Sequence, residues 1–143
     1  MRIFTIGYEG ATVGEFLAAL RAAGVERVVD VRALPLSRRP GFSKSPLRAA
    51  LEDAGIDYVH LKALGTPSEG RTAARAGRHQ DMARAYAGQL ELPEAIAQGG
   101  QLLALAAERP SAVLCMERDP AHCHRTLLLD VIAGDAEIVH LFP

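Results

Sequence analysis

The chain has 143 residues, 49% of them hydrophobic and 5% aromatic, with no tryptophan and a formal net charge of −1. This size fits one domain over 1–143, the apolar content excludes a disordered chain, and the near-zero charge excludes a global pull toward nucleic acid or membrane. Two cysteines cannot build a secreted disulfide framework, the apolar run before Gly7 is too short for a signal peptide, and no run approaches the ~20 residues of a membrane span, so the expectation is a soluble cytoplasmic protein with reduced thiols.

Residues 2–7 are a short apolar run closed by glycine and read as a strand. Thr12 and Glu15 make a capping box ahead of Val13, Phe16, Leu17 and Leu20 at helical spacing, and Gly24 stops that helix. Residues 28–31 form a second strand that opens onto the polar loop RALPLSRRPGFSK. Ser45-Pro46 starts a helix with Leu47, Ala50, Leu51 and Ala54 inward, Gly55 ends it, and residues 57–61 form a third strand. Residues 62–80, rich in Gly, Arg, Ala and Thr, show no clear periodicity and are expected to be irregular. From 81 to about 107 the composition is helical, divided into two or three helices by Pro93 and the Gly99-Gly100 pair.

Residues 112–117 read as a fourth strand. A helix then starts at Asp119-Pro120, where the aspartate accepts from the exposed amides and proline lacks only an N–H that would be orphaned anyway. It carries His122, Cys123, His124 and Arg125 in its opening turns and ends at Gly134, and residues 137–142 form a fifth strand. Such alternation implies right-handed crossovers and a sheet covered on both faces. The predicted fold is a single-domain, three-layer α/β fold with a five-stranded, mostly parallel sheet in the Rossmann-like order 3-2-1-4-5.

In open parallel sheets, ligands bind beyond the carboxyl ends of the strands. Those ends carry Gly7, Tyr8, Glu9 and Gly10; then Asp30, Arg32, Ser37, Arg38, Arg39, Phe42, Ser43 and Lys44; then His60, Lys62 and Gly65; and finally Glu117 with Cys123-His124-Arg125. The opposite loops, around Gly24, Gly55 and Pro110, hold little beyond turn residues. Four segments on this rim, TIGYEG, VVDVRALPLSRRPGFSK, GIDYVHLKALG and LCMERDPAHCHR, resemble in order and spacing the domain of unknown function 488 family, across almost the whole chain. The resemblance implies a small α/β domain and assigns no activity, cofactor or catalytic residue.

The residues themselves leave several chemistries open. Cys115, Cys123 and His124 are metal-ligating types, but the spacing is not a paired C-x-x-C knuckle, so no metal is expected and a structural zinc-binding module stands as an alternative. Cys123, Leu127 and Val131 lie four apart, which fits a thiol on a buried helical face, while Cys115 suits an apolar strand. Cys123 beside His122, His124 and Arg125 also suits a stabilised thiolate; the phosphatase-like pairing of a cysteine with an arginine six positions on is absent, since Ala121 stands there.

Glu117 and Asp30, at buried strand ends, need either a cation partner or a task. The basic loop 32–48 offers arginines for bidentate anion capture and Phe42 for stacking, and His60 lies nearby. Gly7, Gly10 and Gly14 do not match G-x-G-x-x-G, so no dinucleotide cofactor is expected.

The leading expectation is an enzyme or pocketed binder of a small anionic ligand, a nucleotide or phosphorylated metabolite. Gly7, Tyr8, Asp30, Arg32, Arg38, Phe42, Ser43, Lys44, His60 and Arg125 would bind it, and Glu117, His124 and Cys123 would do the chemistry. The alternative from another class is a nucleic-acid-binding accessory protein using the 32–48 loop and Arg71, Arg75, Arg78 and Arg84 as a phosphate track.

Overall fold

A computed structural model describes residues 1–143, apart from the side chain of His122, so the expectation that His122 supports a thiolate lies outside the described residues. Five strands, β1 (Arg2–Gly7), β2 (Arg27–Asp30), β3 (Asp57–His60), β4 (Ser111–Cys115) and β5 (Glu137–Leu141), form one parallel sheet. Six helices cover it: α1 (Val13–Ala22), α2 (Lys44–Asp53), α3 (Ser68–Arg75), α4 (His79–Leu90), α5 (Pro93–Glu108) and α6 (His124–Ile132). Alternate strand residues point to opposite faces, and each face finds its own helices. Phe4, Ile6, Val28, Ala112 and Leu114 pack with Phe16 and Leu20 of α1 and Leu47 and Leu51 of α2. Ile3, Val29 and Val113 pack with Met82 and Tyr86 of α4, Leu102 and Ala106 of α5, and Leu128 and Leu129 of α6. The result is the expected three-layer α/β fold. No helix among the described residues is long and apolar enough to cross a membrane.

The strand order is β3-β2-β4-β1-β5 rather than 3-2-1-4-5. β4, SAVLC, is buried along its whole length and is hydrogen-bonded on both edges, with Val113 opposite Val29 on one side and Thr5 on the other. β1 turns its other edge to β5, where an Arg2–Glu137 ion pair of 3.1 Å closes the exposed start of the ladder. In either order β1 and β4 are neighbours, and the chain leaves them for helices on opposite faces. The switch point therefore stays where the sequence places it.

Helix boundaries depart from expectation in instructive ways. The Thr12–Glu15 capping box is present, with both of its hydrogen bonds. α2 begins two residues early, with Ser43 rather than Ser45 as its N-cap, so Ser45 and Pro46 lie inside the first turn, where an amide without a hydrogen costs nothing. Residues 62–80 are ordered into a 3₁₀ turn over Lys62–Leu64 and the helix α3. α3 buries only Gly70 and Ala73, too little apolar pattern to be seen in sequence. A side chain at position 70 would begin 2.5 Å from the Thr66 methyl carbon.

α5 runs unbroken through Gly99 and Gly100, and Pro93 opens it instead of dividing it. Glycine costs a helix interior about 1 kcal/mol, which burial of Ala95, Leu102 and Ala106 outweighs. Asp119 caps only the 3₁₀ turn Pro120–His122, accepting from the Ala121 amide at 2.9 Å. α6 starts later, with Cys123 as its own N-cap.

A candidate functional site at the switch point

Three loops leave the carboxyl rim and are bonded to one another there. The Glu9 amide donates to the Met116 carbonyl at 2.8 Å, and the Arg118 amide donates to Glu9 Oε1 at 3.1 Å, tying the loop after β1 to the loop after β4. Arg39, from the loop after β2, donates through Nε to the Ala11 carbonyl. His124 reaches the carbonyl of Val31 through Nε2 at 3.0 Å. Gly7 lies where these loops meet. A Cβ there would stand 1.8 Å from the Glu117 carbonyl oxygen and 2.6 Å from Arg125 Nη1, so only glycine permits the approach.

On the α1–α2 side, the residues nominated as anion binders are bound to one another. Asp30, fully buried, accepts from the Arg32 amide at 3.1 Å, from Arg32 Nε at 2.9 Å and from Nη2 at 2.8 Å, and takes a further bond from the Tyr58 hydroxyl at 2.5 Å. Arg32 Nη1 donates to the Phe42 carbonyl at 2.6 Å, and its guanidinium lies over the Tyr8 ring, which stacks on Phe42 with centroids 4.6 Å apart. Burial by itself lowers the Arg32 pKa; the Asp30 carboxylate reverses that and raises it. Tyr58 is likewise pushed up, by burial and then by Asp30. His60 is held by the Arg32 carbonyl at 2.7 Å, and the Ser43 hydroxyl clips the loop by accepting from the Ser37 amide at 3.0 Å. Arg38 and Lys44 are exposed.

On the α6 side the arrangement is different. Cys115 and Cys123 are bonded to each other, with their Cα atoms 7.3 Å apart. The reduced, separate thiols expected from the sequence are therefore joined here. The stripe through Cys123, Leu127 and Val131 is not a buried face: Val131 is 67% exposed, and α6 buries Arg125, Leu128 and Leu129. Cys123 is buried because it caps the helix, its sulfur accepting from the Arg125 amide at 3.4 Å. Arg125 folds back beneath the loop and donates through Nη1 to Cys115 Sγ at 3.2 Å and to the Glu117 carbonyl at 2.8 Å, and through Nη2 to the Arg118 carbonyl at 3.2 Å. Among the described residues its Nε has no hydrogen-bond partner, and its side chain is fully buried, so burial lowers its pKa to about 10.

Because a carbonyl can only accept, His124 Nε2 carries the hydrogen, and Nδ1 turns its lone pair toward Cys123 Sγ, 3.9 Å away. Burial brings the His124 pKa down to about 4, so the ring is neutral. Glu117 is half-buried, and burial raises its pKa.

The proposed phosphate track over α3 and α4 is not a run of free cations. Arg78 and Arg84 both pair with Asp81, at 3.5 and 3.9 Å, and Arg71 donates to the Thr66 carbonyl. A groove of about 820 Å³ lies at the amino rim, lined by Arg2, Glu108, Arg109, Asp135 and Glu137 among others. A smaller one of about 330 Å³ lies beside Lys62, Thr66 and Arg71. Sequence reasoning missed the Tyr58 hydroxyl, the Val31 carbonyl and the Tyr86 ring, which meets His124 edge-on at 5.2 Å. Only alternation along β3 carried a signal for any of them.

Fold and site together define a three-layer α/β protein with a cysteine–histidine centre at the switch point of a parallel sheet. Its family follows from the whole chain rather than from that centre alone. The model of the family described as domain of unknown function DUF488 matches residues 12–132, and the chain belongs to this family. Neither a curated protein nor a solved structure matches it.

Proposed function

We propose that the protein is a cytoplasmic enzyme or ligand-binding protein that takes a small anionic molecule, a nucleotide or phosphorylated metabolite, at the carboxyl ends of its strands. The observation that carries this reading is the bonding of three rim loops around Gly7. It gathers Glu117, Cys123 and His124 at the switch point while Arg38, on the loop after β2 fastened to the same rim, and Lys44, at the start of α2, stay exposed. In this reading Arg38 and Lys44 meet the anion, and the Glu117 carboxylate handles a proton. Asp30, Arg32, Tyr8, Phe42, Ser43 and His60, already bonded to one another or to the backbone, hold the wall in shape. Arg125 holds the loop that carries Glu117.

Thermal shift against a panel of nucleotides and sugar phosphates tests it. At least one member is expected to raise the melting temperature of the wild-type chain, and the gain is expected to disappear in an Arg38→Ala/Lys44→Ala double variant. No stabilisation by any member overturns the reading. The same exposed cations favour nucleic acid as a second reading, marked by an affinity that falls steeply with salt.

A further inference from the structure

The geometry points to a metal centre: Cys115 Sγ, Cys123 Sγ and His124 Nδ1, once the cysteines are reduced, bind one soft divalent cation such as Zn²⁺ and leave its fourth coordination position open. Nothing in the ligand reading above requires this centre, and the two stand or fall separately.

Four observations converge on it. The three ligand atoms lie within 4.8 Å of one another, the span of one coordination shell. His124 is set as metal-bound imidazoles usually are, with one ring nitrogen donating to a backbone carbonyl, that of Val31, and the other presented to the site. The Cα atoms of Cys115 and Cys123 stand 7.3 Å apart, outside the range of about 4.4–6.8 Å that disulfide cysteines span, whereas a cation between two thiolates holds the sulfurs farther apart and suits the wider spacing.

The fourth observation is charge. Arg125 is fully buried and enters no ion pair among the described residues, yet it donates through Nη1 to the Cys115 sulfur and through its amide to the Cys123 sulfur. Against a neutral disulfide the hydrogen bonds of this buried cation go, among the described residues, to carbonyls and sulfur, and the carboxylates of Glu117 and Asp119 act on it only through space. Two thiolates answer it, and their N–H···S bonds are the kind of outer support that fixes a metal site. Two cysteines and one histidine make the donor set of a zinc ion with a vacant position.

The chemistry balances with a dithiol reductant. Two electrons and two protons from the dithiol break the Cys115–Cys123 bond and give two thiols, while the reductant closes its own disulfide. The cation then displaces the two thiol protons.

The test uses the full chain, reduced under nitrogen, freed of reductant and titrated with Co²⁺ and then Zn²⁺. One Co²⁺ per chain is expected, with a sulfur-to-cobalt charge-transfer band and the intense visible bands of tetrahedral coordination, both bleached by one equivalent of Zn²⁺. Cys123→Ser should cut the charge-transfer intensity per bound cobalt to half or less and weaken affinity at least tenfold, and His124→Ala should keep the band while weakening affinity at least tenfold. A wild-type chain with both thiols free by titration that shows no such band overturns the proposal, as does binding unaltered in Cys123→Ser. The wild-type spectrum decides even where a variant fails to fold, and it involves no organic ligand.

Discussion

Two buried arginines lie at the carboxyl rim, each donating to a loop carbonyl, and they behave in opposite ways. Arg32 meets the Asp30 carboxylate through two nitrogens, stacks on Tyr8, and has its pKa raised by that carboxylate against the effect of burial. Arg125 meets two carbonyls and a sulfur, keeps an Nε with no hydrogen-bond partner among the described residues, and has its pKa lowered by burial. The difference teaches where structure ends and chemistry begins on this rim. Arg32 holds its carboxylate by hydrogen bonds, whereas Arg125 feels those of Glu117 and Asp119 only through space and gives its hydrogen bonds to carbonyls and sulfur.

The comparison can be broken most sharply at Arg32. Arg32→Met strands the Asp30 carboxylate without its cation and should cost about 3–5 kcal/mol, read as a shift in the denaturant midpoint. Gly7→Ala follows, since its methyl enters the Glu117 carbonyl and displaces Arg125; a loss of about 3 kcal/mol is expected. Arg125→Met strands no paired carboxylate and removes donors from two carbonyls, so about 1–3 kcal/mol is expected by the same measurement. A loss at Arg125 equal to that at Arg32 would end the contrast.

The smallest effect is one of pH. Burial and then the charge of Arg125 lower the pKa of His140, whose Nδ1 faces Thr5 Oγ1 at 2.6 Å. The folded chain then binds fewer protons here than the unfolded chain. The His140 contribution is complete above the unfolded value of about 6.5 and is lost as pH falls through it toward the lower folded value. Denaturation curves between pH 7.5 and pH 5 should therefore slope less in His140→Asn, and also in Arg125→Met, where the repelling charge is gone.

Much of the fold was legible because buried parallel strands are short apolar runs with polar ends. β1 matches its expected span, and β2, β3, β4 and β5 differ by a residue or two at their ends. α3 escaped because Gly70 and Ala73 bury so little area. The Gly99-Gly100 pair misled because propensity is a weak prior beside the packing of Leu102 and Ala106. At the site, the convergence of the rim loops was legible from which residues follow each strand. The partners chosen there were not. Arg32 and Arg38 look alike in sequence, yet one is locked to Asp30 and the other is exposed.

Hydrophobic period and turn residues are local properties, so the sequence by itself determined the alternation of strands and helices, the parallel sheet and the edge that carries the polar side chains. Which strand lies between which, which arginine finds a carboxylate, and that Cys115 on β4 meets Cys123 at the cap of α6 were decided only in the tertiary structure. Those outcomes depend on non-local hydrogen bonds and on how buried charge is neutralised, and neither quantity belongs to any short stretch of chain.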